Sequence, residues 1–208
     1  VDKLVKLEVF RPEIAVVVPD VPDEMIDAYV RHACIEFAER TGCLSREYHL
    51  DAQECVTDYL LDDCEEHIYR LHSVTLIDSC GEETVPFSAQ SGCSTTGCHG
   101  SSARFEPPRL LVITPAPATS VEGGIIIRAA VTPTPDACEV DAVFYRRHNM
   151  AIVAGALSKL LLIPGKGFNP ALAKIHYSTF DAAKTRQVVQ ANMGYGQGRI
   201  DMQFKRFV

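Results

Sequence analysis

The chain has 208 residues, 47% apolar and 23% charged, with 13 glycines and 12 prolines. These are the proportions of a folded globular protein, and they exclude a disordered chain, a collagen-like chain and a coiled coil. The formal charge is −7, which argues against a dedicated nucleic-acid binder.

That charge is unevenly placed. Residues 145–208 carry ten Lys/Arg against two acids, Asp181 and Asp201, for +8, whereas residues 1–144 carry ten Lys/Arg against 25 acids, for −15. One part of the molecule is basic and the other acidic, a signal about surfaces and partners.

Residues 1–22 read as an extended N-terminal arm. Ile14–Val18 is a β-branched run closed by Pro19 and Pro22, and with Pro12 these residues argue against a regular helix. A helix is expected over 23–42. Asp23 is its N-cap candidate, and Glu24 and Asp27 place acids in the first turn. Ile26, Tyr29, Val30, Ala33, Cys34, Phe37 and Ala38 fall on one helical face, and Gly42 follows the last turn.

Residues 44–132 read as a β insertion of five or six strands. The strand-like runs are Tyr48–Leu50, Cys55–Leu61, His67–Ile77, Arg109–Thr114 and Ile125–Val131. In His67–Ile77 the residues Ile68, Arg70, His72, Val74 and Leu76 alternate against Tyr69, Leu71 and Thr75. Ser88–Ser102 is a loop of small residues.

A helical pair is expected over 141–193. Asp141 caps a helix running to about Leu162, which Pro164-Gly165 stops. Asn169-Pro170 supplies an N-cap followed by Pro at the first helical position. That second helix runs to about Met193, with Ala173, Tyr177, Phe180 and Val188 as inward candidates. Gly194, Gly196 and Gly198 form a hinge, and the tail alternates Ile200, Met202 and Phe204 against Asp201, Gln203 and Lys205. The fold class expected is α+β: one domain over 1–208, a helical bundle of about three helices. A β-strand insertion lies between the first and second helices, and residues 194–208 form a hinge and extended C-terminal arm.

The eight cysteines are Cys34, Cys43, Cys55, Cys64, Cys80, Cys93, Cys98 and Cys138. In a reducing compartment most should be small buried apolar residues. Cys93, Cys98 and His99, with Cys80 upstream, are ligand types that suit zinc, but the second half of a structural zinc pattern is missing. A Cys93–Cys98 disulfide and a loop of unpaired thiols are the competing readings, and no metal is assigned. Gly165-Lys166-Gly167 and the Gly194–Gly198 segment are not phosphate loops, because neither sits between a strand and a helix. The run Asp62-Asp63-Cys64-Glu65-Glu66 reads as a solvated turn. His148 and His176 lie on the helices without ligand partners. No nucleophile, zincin or deaminase pattern occurs, so neither an enzyme nor a cofactor is expected.

The first residues, VDKLVKLEVF, interleave charges with apolar side chains and form no signal-peptide core. Ala151–Ile163 is too short to span a bilayer. The expectation is a soluble protein, cytoplasmic at synthesis.

The basic block fits either nucleic-acid phosphates or an acidic protein partner. Apolar anchors on the tail favour a protein. Arg199, Ile200, Met202, Phe204, Lys205, Arg206 and Phe207 are the candidate docking residues, with Gly194, Gly196 and Gly198 as their hinge.

Two segments carry a family resemblance. The first is PDEMIDAYVRHACIEFAERTG, with its Pro-flanked start and its Phe37-x-x-x-Thr41 ending. The second is MAIVAGALSKLLLIPGKGFNPALAKIHYSTFDAAKTRQ, an Ala-rich helix, a Pro-Gly break ending in Pro, and a helix with Tyr and Phe. Together they resemble the head-to-tail adaptor (connector, head-completion) proteins of tailed bacteriophages. The resemblance implies a structural virion protein that forms a homo-oligomeric ring, commonly of twelve subunits, beneath the portal vertex. It implies the portal protein and tail or nozzle proteins as partners. It also implies double-stranded DNA passing through the channel without sequence-specific binding, and no membrane. The portal-docking role then falls on Arg199–Phe207. Localisation would be the head-tail junction of the virion, after assembly in the host cytoplasm. The resemblance does not extend to residues 44–132. The competing reading is a zinc- or disulfide-stabilised protein-binding module without a virion role.

Overall fold

A computed structural model describes residues 4–61, 66–78, 81–85, 102–106, 109–165 and 167–193. The described residues form four helices and nine strands, the strands in three antiparallel sheets. This corrects the expected bundle of about three helices with a single insertion. The chain is α+β but far richer in strands, because the N-terminal segment and the insertion each build more regular structure than their sequences suggested.

The N-terminal segment is the clearest correction. Strand β1 (Leu4–Lys6) pairs with β9 (Glu139–Asp141), a 3-10 turn covers Leu7–Phe10, and helix α1 spans Arg11–Ala15. Pro12 lies in the first turn of α1, where a missing N–H costs nothing, so it starts the helix instead of forbidding it. Leu7, Phe10, Ile14 and Val18 are all buried. Their spacing of three and four residues is helical, and the β-branched run had masked it.

Helix α2 (Asp23–Thr41) forms where expected, but its cap is Pro22, whose carbonyl accepts from Met25 and Ile26 N–H, and no side chain caps it. Asp23 and Asp27 instead receive the Arg11 guanidinium, with Nη1 to Asp23 at 3.0 Å and Nε to Asp27 at 2.8 Å. The helix ends at Gly42, left-handed at φ 62°, whose N–H donates to the Ala38 carbonyl. Helices α3 (Ala142–Leu160) and α4 (Pro170–Met193) start at the expected caps. Asp141 accepts from Val143 N–H at 2.8 Å, and Asn169 accepts from Leu172 N–H at 3.0 Å.

The insertion holds seven strands in two sheets. One sheet has the order β2-β8-β4-β5, from β2 (Ser45–Ala52), β8 (Val121–Pro133), β4 (Glu66–Asp78) and β5 (Gly81–Val85). The other has the order β3-β7-β6, from β3 (Asp58–Leu60), β7 (Leu110–Thr114) and β6 (Ser102–Glu106). The expected strand over Cys55–Leu61 shrinks to Asp58–Leu60, because a turn occupies residues 54–55 with Cys55 at φ 61°. The expected alternation in β4 also fails. Irregularities at Ile68/Arg70 and Leu71/Ser73 each shift the pairing with β8, so Ile68, Leu71 and Val74 are the buried residues.

One apolar core runs through both parts, from Phe10, Phe37, Phe144, Ile152 and Phe180 among the helices to Ile125, Ile127, Val74, Leu111 and Ile113 among the strands. The three long helices meet at Gly155. A Cβ there would lie 3.0 Å from Ala33 Cβ and 3.0 Å from the Phe180 ring. A methyl group there would be tighter than ordinary contact on both sides, so Ala33 or the Phe180 ring would have to give way by a few tenths of an ångström.

Two polar assemblies bind the elements together. Arg46 on β2 donates from Nε and Nη2 to both Glu66 oxygens at 2.8 and 2.7 Å, and from Nη2 to Asp141 at 2.8 Å. Among the helices, Glu36 accepts from Lys159 at 2.8 Å and from Lys184 at 2.7 Å.

Candidate functional site

Helix α4 has more surface than its own fold uses. Its buried residues are Ala173, Phe180, Lys184 and Gln187, a narrow stripe against α3 and α2. The Lys184 side chain is only 8% exposed, and its ammonium sits 4.5 Å from the Phe180 ring centroid. Of the expected inward residues, Ala173 and Phe180 are buried and Val188 is half-buried, but Tyr177 is 56% exposed.

On the side of α4 opposite that stripe lie Ala171, Ile175, Ser178, Ala182, Thr185 and Val189, all exposed. They alternate steps of four and three residues, the period of a helix–helix seam. Ile175 and Val189 are 60% and 43% exposed. A solvated helix face is expected to be polar. This one places the aliphatic Ile175 and Val189 among small residues, of which only Ser178 and Thr185 are polar.

Beside this seam a groove of about 720 Å³ runs between the first half of α3 and the second half of α4. Arg146, Arg147 and Arg186 line it, with Met150, Ser178 and Gln190. None of the three arginines has an ion-pair partner among the described residues. Met150 is 75% exposed. Asn149 donates to Glu13 at 2.6 Å, and its Oδ1 is buried without a hydrogen-bond partner. His148, at the same wall, packs on Phe37 with ring centroids 4.7 Å apart. Burial, aided by the Arg147 charge, holds its imidazole pKa below the ordinary value.

A second surface stands at the far end of the β layer. The helix-proximal end of the main sheet is where Leu44 meets Val131 and Asp141 caps α3. The opposite end, where Ala52 pairs with Val121, carries exposed Asp51, Glu54 and Glu122, and Asp58 begins β3 nearby. None of these four carboxylates meets a cation among the described residues. Asp58 and Leu60 lie on the same outward face of β3, and Leu60 is 71% exposed.

The tail residues singled out by sequence lie outside the described residues: Arg199, Ile200, Met202, Phe204, Lys205, Arg206 and Phe207, with hinge residues Gly194, Gly196 and Gly198. So do Cys80, Cys93, Cys98 and His99. Among the described residues no group of three or more His, Cys, Asp or Glu could hold a metal ion. Cys34, Cys43, Cys55 and Cys138 are free thiols. Of these four, Cys34 is buried, Cys43 half-buried and Cys55 and Cys138 exposed, and burial pushes the Cys34 thiol pKa up. Of the acidic run, Glu66 is described, and it is held by Arg46. No described helix is long and apolar enough to cross a membrane.

The α4 seam and the arginine groove were not singled out from the sequence, where the arginines counted only toward the charge of the basic block. The seam's four-three spacing was there to read. It went unseen because the inward stripe of α4 accounts for a helix on its own.

No family model matches the chain, and no curated protein sequence is significantly similar to it.

Proposed function

We propose that this chain is a structural virion protein, a head-to-tail adaptor of a tailed bacteriophage. In this reading it closes into a ring, commonly of twelve subunits in such proteins, joins the portal vertex to the tail and surrounds the DNA channel. It performs no catalysis. The observation that carries the reading is the second seam of α4: a helix already packed on one side presents Ile175 and Val189 with small residues between them on the other. Small residues let a second helix approach closely, and the aliphatic pair supplies the apolar contact. A ring needs such a face on every copy.

The tail completes the proposal. Arg199, Ile200, Met202, Phe204, Lys205, Arg206 and Phe207 dock on the portal protein, and the glycines at 194, 196 and 198 let the segment turn. The tail-facing side receives the tail or nozzle proteins, and DNA passes without sequence-specific contact. The protein resides at the head-tail junction.

The test is assembly on portal-containing heads. Ile175→Glu with Val189→Glu should prevent ring closure while the monomer stays folded by circular dichroism. Truncation after Gly194 should leave the ring surfaces intact and abolish attachment to heads. A truncated protein that attaches normally refutes the docking role of the tail. A glutamate variant that still closes rings refutes the seam.

A further inference from the structure

The two unpaired charged surfaces described above have opposite signs, lie on different parts of one chain and each carry an exposed apolar residue. We infer that they are the two halves of one contact between copies: the acidic end of the β layer of one copy seats on the arginine groove between α3 and α4 of the next. This deepens the ring reading and rests on it, by naming the surfaces that set the order of subunits.

Arg146, Arg147 and Arg186 have no ion-pair partner among the described residues, although the same helices pair Lys159 and Lys184 with Glu36. Asp51, Glu54, Asp58 and Glu122 are likewise without a cation, and Arg104 on the neighbouring sheet is already engaged by Glu106 at 3.1 Å. Each set leaves its own charge uncompensated, and the other set would compensate it. Leu60 stands among the acids and Met150 in the groove, 71% and 75% exposed. Methionine and arginine around an apolar centre are enriched at protein–protein interfaces.

The occupant follows from these features. A contact of unlike patches is heterologous, so every open assembly of copies keeps one free groove and one free acidic end until a ring closes. A nucleic-acid phosphate backbone would match the arginines, but it would leave the acidic end unanswered. A second copy of this chain answers both.

The test uses the full chain and two charge-reversed forms. One carries Arg146→Glu, Arg147→Glu and Arg186→Glu; the other carries Glu54→Lys, Asp58→Lys and Glu122→Lys. Self-association is followed by sedimentation and native mass measurement at about millimolar protein in low salt. Wild type should associate, and association should weaken about tenfold or more when ionic strength rises from about 0.05 to 0.5 M. Each reversed form alone should stay monomeric. A chain carrying both sets of reversals should associate again, which guards against simple misfolding.

Several outcomes overturn the inference. They are a wild type that remains monomeric at low salt, a groove-reversed form that associates normally, or a doubly reversed chain that does not recover. Arginine-dependent binding of a short DNA duplex at physiological salt, without self-association, would assign the groove to phosphates instead. None of these results touches attachment to heads through the tail. The adaptor reading and this inference can therefore fail separately.

Discussion

The helical layer and the β layer reach stability by different means. Where α2, α3 and α4 cross, the contact is so close that Gly155 lies against Ala33 and Phe180, and a Glu36 clamp holds all three helices. The β layer tolerates interruptions: β4 carries two register shifts against β8, and Cys55 holds a left-handed backbone in the turn after β2. A helix crossing at van der Waals contact has no slack, whereas a sheet absorbs an extra residue as a local bulge. The difference teaches which layer is the scaffold. Changes at the helical crossing should propagate, and changes at the far end of the sheet should stay local.

The largest expected break of this contrast is Gly155→Val. Its methyl groups would enter space already filled, and overpacking should cost about 3 kcal/mol and lower Tm sharply. Calorimetry checks this. A loss of less than about 0.5 kcal/mol would mean that the crossing yields as readily as the sheet.

Next comes Arg46→Ala. It leaves Glu66 and Asp141, with side chains 15% and 10% exposed, without their cation. The expected loss in urea unfolding is about 2 kcal/mol, reduced from the cost of a fully buried pair because Arg46 is itself partly solvated. Arg46→Met should lose about as much, since the lone carboxylates and not the missing volume set the cost.

The smallest effect is a pH slope. Burial pushes the Glu36 carboxyl up, but hydrogen bonds and charges from Lys159 and Lys184 outweigh it and hold the pKa below its ordinary value. His148 is also depressed, by burial and then by Arg147. In both cases the unfolded chain binds the proton more readily, so stability is full above the unfolded pKa and falls with pH. The His148 contribution should fade below pH 6.5 and that of Glu36 below pH 4.5, the ordinary values of these groups. Chemical denaturation across this range should show His148→Gln flattening the upper part of the slope and Glu36→Gln the lower. Equal slopes in wild type and both variants would remove these residues from the account.

Local chemistry was legible where one residue decides it. Asp141 and Asn169-Pro170 mark helix starts because a side-chain oxygen beside the first free N–H groups has few other roles. The apolar face of α2 was equally readable. The N-terminal segment was not, because a proline near a helix start and one inside a helix look alike in a string of residues. The strand content was underestimated for a related reason. Bulges in β4 replaced alternation with a spacing of three, and only the partner strand reveals that. As for the site, composition exposed the charge split. Which cations remain unpaired depends on where the helices place them: Glu36 meets Lys159 and Lys184, whereas Arg146, Arg147 and Arg186 line the groove, and that is a fact of packing.

The Arg46 fork has one more consequence. It grips β2 and β4 with one guanidinium and, through Asp141, the first turn of α3, whose Val143 N–H the same carboxylate holds. A push on the sheet therefore reaches the start of a long helix through charged, directional bonds and not through a hinge.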